Sequence, residues 1–187
     1  MARMDLIKRS IAGDPNAFEM IFEQYKNLVF KTAYLMLDDY DEAEDALQEI
    51  FLKVYGALGT YNPAKGAFST WLYRITVNHC LNQKRKLFHI FKSMRVSNDQ
   101  KLQVHTSIED KLAENQAIDQ ALSRLSDKLR VVIILRYFLD LSYSEIAQVL
   151  DLPLGTVKSR LNMGLKKVRD GLEEEELKGL PTREVSK

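Results

Sequence analysis

Leu141–Asp170 reads LSYSEIAQVLDLPLGTVKSRLNMGLKKVRD. Ser142 with Glu145 three residues on has the form of a capping box, which opens a short helix carrying Ile146, Ala147 and Leu150 on one face. Leu152-Pro153 cannot continue that helix, because proline lacks an amide hydrogen and disfavours α geometry in the residue before it. Gly155-Thr156 then starts a second helix, with Val157, Leu161, Gly164, Leu165 and Val168 on one side. Ser159, Asn162, Met163 and Lys166 point the other way, and Lys158, Arg160, Lys167 and Arg169 run along the flanks. Acidic residues vanish between Gly155 and Arg169, where an ordinary soluble helix would mix the signs. A short capped helix, a tight turn and a second helix with a basic, hydrogen-bonding face make a helix-turn-helix. Its second helix suits a DNA major groove.

The rest of the chain has the room and composition to support such a unit. It has 187 residues, 45% hydrophobic and 28% charged, which is globular and not disordered. Its net charge is only +1, so affinity for nucleic acid has to come from a local patch. Acidic clusters at 38–49 and 173–176 alternate with basic ones at 84–92 and 158–169. The single cysteine, Cys80, excludes an intrachain disulfide and suits a reducing cytoplasm. With no apolar run of membrane-spanning length and no signal-peptide core, a cytoplasmic protein is expected.

Helical periodicity dominates, and the expected fold class is all-α. Asp5–Ala12 forms a short helix ending at Gly13. Asp14-Pro15 starts the next, whose apolar stripe runs through Phe18, Ile21, Phe22, Tyr25, Leu28, Val29, Thr32, Ala33 and Met36. After a polar break, Asp41 can cap a third helix with Ala43, Leu47, Ile50, Phe51 and Val54 inward. Glu42, Asp45 and Glu49 share another of its faces with Gln48. That face reads equally as a solvated surface favoured by the helix dipole or as a docking site for a basic partner.

A loop over Gly59–Gly66, containing Tyr61, precedes FSTWLYRITVNHCLNQKRKLFHIFK, where Ser69 or Thr70 can cap. Phe68, Trp71, Leu72, Ile75 and His79 can pack inward, leaving Tyr73, Arg74, Asn78, Asn82, Lys84, Arg85 and Lys86 outward. Aromatics, amides and cations on one helix suit a single-stranded nucleic acid: bases stack on rings, amides read base edges and cations follow phosphates. Residues 93–110 lose periodicity and read as a linker. Lys111–Leu125 forms a helix, Ser126 caps the next, with aliphatic Val131–Leu135 central, and the polar tail after Gly171 should fray. No phosphate loop, nucleophile motif or metal-ligand spacing occurs, so no catalytic residue, metal site or cofactor is expected. His79 and Cys80 point about 100° apart on a helix and do not chelate.

Taken in order, DEAEDALQEIFLKVY, FSTWLYRITVNHCLNQKRK and LSYSEIAQVLDLPLGTVKSRL resemble regions two and four of a bacterial sigma factor of the sigma-70 family, extracytoplasmic-function (ECF) group. The resemblance spans roughly residues 5–172 and implies two small helical domains joined by a flexible linker. Region two would occupy 5–92, the linker 93–110 and region four 111–175. It implies that Asp45, Gln48 and Glu49 bind core RNA polymerase. It also implies that Tyr61, Trp71, Arg74, Asn78 and Asn82, with Lys84, Arg85 and Lys86 on phosphates, melt the promoter −10 element and hold its single strand. Asn78 would read a flipped base. Thr156, Lys158, Ser159, Arg160, Asn162, Met163 and Lys166 would read the −35 element as duplex. Met163 stands where the family often has a cation, which leaves the promoter sequence open. The resemblance further implies an anti-sigma partner, often membrane-bound, and no small-molecule substrate. The alternative is a stand-alone helix-turn-helix transcriptional regulator.

Overall fold

A computed structural model describes the backbone of residues 2–94 and 121–179, with the side chains of residues 4–86 and 121–172. The expected linker, apart from Ser93 and Met94, and residues 111–120 of the helix expected to follow it lie outside the described residues. Among the described residues every regular element is a helix, as an all-α reading requires. The chain folds as two compact units.

The first unit contains α1 (Ala2–Ile11), α2 (Pro15–Leu37), α3 (Tyr40–Ala57) and α4 (Phe68–Met94). Helix α1 stops at Gly13, whose φ of +91° suits a residue without Cβ. Asp14 caps α2 by accepting from the N–H groups of Asn16 and Ala17 at 3.0 and 3.3 Å, and Pro15 takes the first-turn position. Asp38 closes α2 in a left-handed conformation, φ 65°, donating its N–H to Tyr34 O. The cap of α3 is Asp39, not Asp41: its side chain accepts from Glu42 N at 2.9 Å. The helix starts two residues earlier than the polar run suggested, so Asp41 falls inside the first turn.

Helices α1, α3 and α4 all pack on α2, and α3 also packs on α4. Their core is built from Ile21, Val29, Ala33, Ile50, Val54, Phe68, Leu72 and Val77. Two expectations for α4 change. The helix begins at Phe68, so Ser69 and Thr70 lie in its first turn and do not cap it. Its buried stripe runs through Leu72, Thr76, Val77 and Cys80, while Ile75 is only half-buried. Thr76 tolerates burial because its Oγ1 donates to Leu72 O at 2.9 Å.

The second unit holds α5 (Asp127–Ile133), a π-turn over Ile134–Phe138, α6 (Tyr143–Leu150) and α7 (Leu154–Gly179). Ser126 stands at the N-cap position of α5, and Val131–Leu135 are all buried. Helix α5 packs along α7; at Gly164 an added Cβ would lie 3.2 Å from two side-chain carbons of Ile133. The polar tail does not fray directly after Gly171, because α7 continues to Gly179. Among the described residues no helix is long and apolar enough to cross a membrane.

Candidate nucleic-acid interface and docking surface

In the second unit the capping box forms as spaced. Glu145 N donates to Ser142 Oγ at 3.2 Å, and Glu145 Oε2 accepts from Ser142 N at 2.8 Å and Ser142 Oγ at 2.7 Å. Those bonds hold the Glu145 carboxyl below its usual range. Ile146 and Val149 are the residues of α6 that are buried; Ala147 and Leu150 are half-buried. The helix ends with Asp151 left-handed at φ 54° and Leu152 N bonded to Ala147 O at 3.0 Å, a Schellman closure made without glycine. Pro153 O then accepts from Thr156 N and Val157 N, so α7 starts at Leu154, one residue before the expected Gly155. Arg136, which sequence reasoning passed over, braces the entry to α6. Its Nη1 donates to Leu141 O at 3.1 Å and its guanidinium lies 5.4 Å from the Tyr143 ring centroid.

With Val157, Leu161 and Gly164 buried, α7 exposes Lys158, Ser159, Asn162, Met163 and Lys166, while Thr156 and Arg160 are half-buried. Ser159 Oγ donates to Thr156 O at 3.0 Å, which leaves the hydroxyl oxygen free to accept. Met163 is 54% exposed, an apolar tip among cations and amides.

In the first unit Tyr61, Phe68 and Trp71 form a cluster of rings, with centroids 5.2, 5.3 and 5.7 Å apart. Phe68 is buried and rests on Tyr25 at 5.1 Å. It props up Tyr61 and Trp71, which stay half-buried with part of their surfaces accessible. Tyr61 is also tied by Oη donating to Gly66 O at 3.1 Å. Asn62 caps the Pro63–Lys65 turn by accepting from Ala64 N at 2.9 Å. Thr60, Asn62, Lys65, Thr70 and Arg74 join the two rings around one hollow. Thr60, Asn62, Lys65 and Thr70 were not among the expected site residues: three of them sit on a loop whose curvature has no periodic signature, and Thr70 lies in the first turn of α4.

Along α4, Trp71, Arg74, Asn78, Asn82 and Arg85 follow steps of three and four and lie on one stripe. Arg74, Asn78, Asn82, Arg85 and Lys86 are exposed. Lys84 stands apart from that stripe. It is half-buried, and its charge acts on Glu42 of α3 and on Cys80. Burial pushes the Cys80 thiol up to about 12, so it is neither nucleophile nor ready ligand. Among the described residues no group of three or more His, Cys, Asp or Glu could hold a metal ion.

On α3, Asp45, Gln48 and Glu49 are exposed, together with Asp41 and Glu44. Glu42 does not share their surface. It is half-buried towards α4, its carboxyl raised by burial and by Asp39, with Gln83 Nε2 at 3.5 Å. His79 is buried, its Nδ1 2.6 Å from Lys53 Nζ and its Nε2 3.9 Å from Glu49 Oε2. Burial and the Lys53 charge lower its pKa, so the ring is neutral and Nδ1 accepts.

The family models agree with this division. Sigma-70 region 2 matches residues 21–87, and sigma-70 region 4 matches residues 115–168. Both regions in this order define a sigma-70-type factor and leave a stand-alone regulator without a reason for the first unit. The ECF RNA polymerase sigma factor SigW of Bacillus subtilis is 33% identical over 177 residues, covering 89% of this chain and 94% of the relative. The ECF RNA polymerase sigma-E factor of Escherichia coli K12 is 30% identical over 173 residues, covering 83% and 86%. This chain belongs to the ECF RNA polymerase sigma factors. Its fold is shared by the sigma factor RpoE of Bartonella quintana, solved with the anti-sigma factor NepR (TM-score 0.67, 22% identity, 83% of this chain and 96% of that one). It is shared also by CnrH, solved with the cytosolic domain of CnrY (TM-score 0.67, 22% identity, 93% and 99%).

Proposed function

We propose that this chain binds core RNA polymerase through the outer face of α3, captures the single-stranded −10 element along α4, and reads the −35 duplex with α7. The observation that carries the reading is the stripe of Trp71, Arg74, Asn78, Asn82 and Arg85 beside Tyr61. Rings propped from beneath by a buried phenylalanine offer flat faces to unstacked bases, Asn78 offers both a donor and an acceptor to a base edge, and the arginines follow phosphates. Unstacking is easiest at AT-rich steps, which favours a melted −10 element there. On α7, Lys158, Ser159 and Asn162 reach base edges, with Arg160 and Lys166 nearer the backbone and Thr156 at the helix start. Met163 can touch a thymine methyl but makes no bidentate contact to guanine.

The protein contributes binding and strand separation, and the nucleotidyl chemistry belongs to the core enzyme. A net charge of +1 gives little general attraction to DNA, consistent with a subunit that needs core to hold a promoter. RpoE of Bartonella quintana, solved with the anti-sigma factor NepR, supports a similar inhibitor for this chain, and CnrH, solved with the cytosolic domain of CnrY, supports a membrane-bound form of such a partner and a cytoplasmic site of action. Run-off transcription with purified core polymerase on a library of AT-rich promoter fragments tests the proposal. Specific initiation, abolished in Asn78→Ala and weakened in Lys158→Ala, is expected. No initiation with several cores, alongside retained duplex binding by the chain alone, would overturn it.

A further inference from the structure

His79 lies where α3 and α4 meet. It follows the exposed Asn78 on α4, yet it turns into the contact with α3 and is 8% exposed. The charged groups set against its ring are Lys53 and Glu49, both of α3, with Gln83 beside it on its own helix. Among the described residues α2, the other helix packed on α4, sets no charge against it. The Lys53 ammonium lies 2.6 Å from Nδ1. The Glu49 carboxylate stands 3.9 Å from Nε2, with its side chain 65% exposed.

This cluster has two arrangements that exclude each other. A neutral imidazole has one acceptor nitrogen, and here it is Nδ1, used by Lys53. A proton taken up there turns Nδ1 into a donor and sets a second positive charge at hydrogen-bond distance from the ammonium, so that bond cannot persist. The protonated ring has a replacement partner in Glu49, whose carboxylate already stands at its other nitrogen and has only about 1 Å to close. Lys53 and Glu49 are one helical turn apart on α3, and both residues are exposed. The exchange therefore needs side-chain rotations and no movement of either helix.

We propose that His79 is a proton-operated latch on the outer face of α3. With a neutral ring it holds the Lys53 ammonium back, and the exposed Asp41, Glu44, Asp45 and Glu49 leave that face anionic. A protonated ring draws Glu49 inward and releases Lys53, so the face gives up one anion and receives the one cation that α3 carries. A cationic partner is then held less well in acid, and by reciprocity its binding drives the proton off His79. The proposal rests on the polymerase reading of α3 and adds the regulation of that surface by pH.

Two measurements on the full-length chain test the latch. NMR titration follows the three histidines, with His79 assigned by its absence in His79→Gln. The His79 midpoint should lie below 6.5, and Lys53→Met should raise it, because a like charge is removed. Anisotropy of a labelled chain measures binding to purified core polymerase from about pH 7.5 to about pH 5.5, and circular dichroism at each pH keeps unfolding out of the comparison. Wild type should lose about threefold more affinity over that range than His79→Gln, in which glutamine still accepts from Lys53 but cannot titrate. At the upper end of the range the two should bind alike. Parallel pH profiles for wild type and His79→Gln would overturn the proposal and spare the polymerase reading. A His79 midpoint that Lys53→Met leaves unmoved would overturn it too, even where His79→Gln folds poorly. No binding by wild type at the upper end of the range would overturn both.

Discussion

Two helical glycines in this protein should respond in opposite ways to added side-chain volume. At Gly56, in α3, a Cβ would meet nothing within 4 Å; at Gly164, in α7, it would lie 3.2 Å from Ile133 Cδ1 and 3.2 Å from Ile133 Cγ1. Replacing glycine by alanine inside a helix stabilises by about 0.5–1 kcal/mol, because the unfolded chain loses freedom. Gly56→Ala should show that gain in full. At Gly164 the same gain is offset by the displacement of Ile133, whose Cγ1 is close to the backbone and cannot swing away. Gly164→Leu adds three more carbons to that contact; overpacking of this kind costs about 1–3 kcal/mol. Helix propensity offsets about 1 kcal/mol of it, leaving a net loss of up to about 2 kcal/mol. Ile133→Val removes Cδ1 and alone should cost about 0.5–1.5 kcal/mol. In a Gly164→Ala background it should cost less, because the new methyl group fills the space, giving a coupling above about 0.5 kcal/mol. Equilibrium urea unfolding followed by circular dichroism measures all of these. Equal stabilisation by the two alanines, or additivity of Gly164→Ala with Ile133→Val, would refute the close approach of α7 to α5.

Ser142→Ala should destabilise the helix-turn-helix by about 1 kcal/mol, read by the same unfolding assay. Since the Ser142 bonds lower the Glu145 pKa, their stabilisation is present above the unfolded glutamate value of 4.5 and lost as pH falls below it. The difference between wild type and Ser142→Ala should therefore shrink in acid, and a constant difference would sink the assignment. For His79 the folded pKa lies below the unfolded 6.5, so the unfolded chain takes up the proton first. Stability should be full above about pH 6.5 and decline as pH falls through that value. His79→Gln should lack this decline in urea midpoints between pH 8 and 5.5, and a wild-type profile flat over that range would show that the imidazole is not buried neutral.

Both helix-turn-helix elements could be read from residues alone, because every signal there is local: a capping box spans four residues, a proline acts on its neighbours, and amphipathic spacing repeats each turn. The same locality explains why α2 and the exposure of Asp45, Gln48, Glu49, Asn78 and Lys158 were legible. Where packing between helices decides, spacing misleads. Nothing within α4 distinguishes Ile75 from Val77, and the contact with α2 and α3 alone buries the second and leaves the first half out. Glu42 and Lys84 look like members of an acidic and a basic surface in sequence, yet the packing of α3 on α4 leaves both half-buried. The hollow beside Tyr61 and Trp71 depends on a loop whose curvature comes from Asn62 and Gly66.

By itself the sequence determined an all-α chain, the order of its helices and the turn between the last two, and the resemblance to its family through three ordered segments. Tertiary structure alone decided that Phe68 is buried beneath Tyr61 and Trp71, that Glu42 and Lys84 leave the open surface, and that Lys53 belongs to His79. Local hydrogen bonding and side-chain periodicity are written in residues a turn apart, whereas burial is a relation between residues tens of positions apart, settled only when the helices have packed.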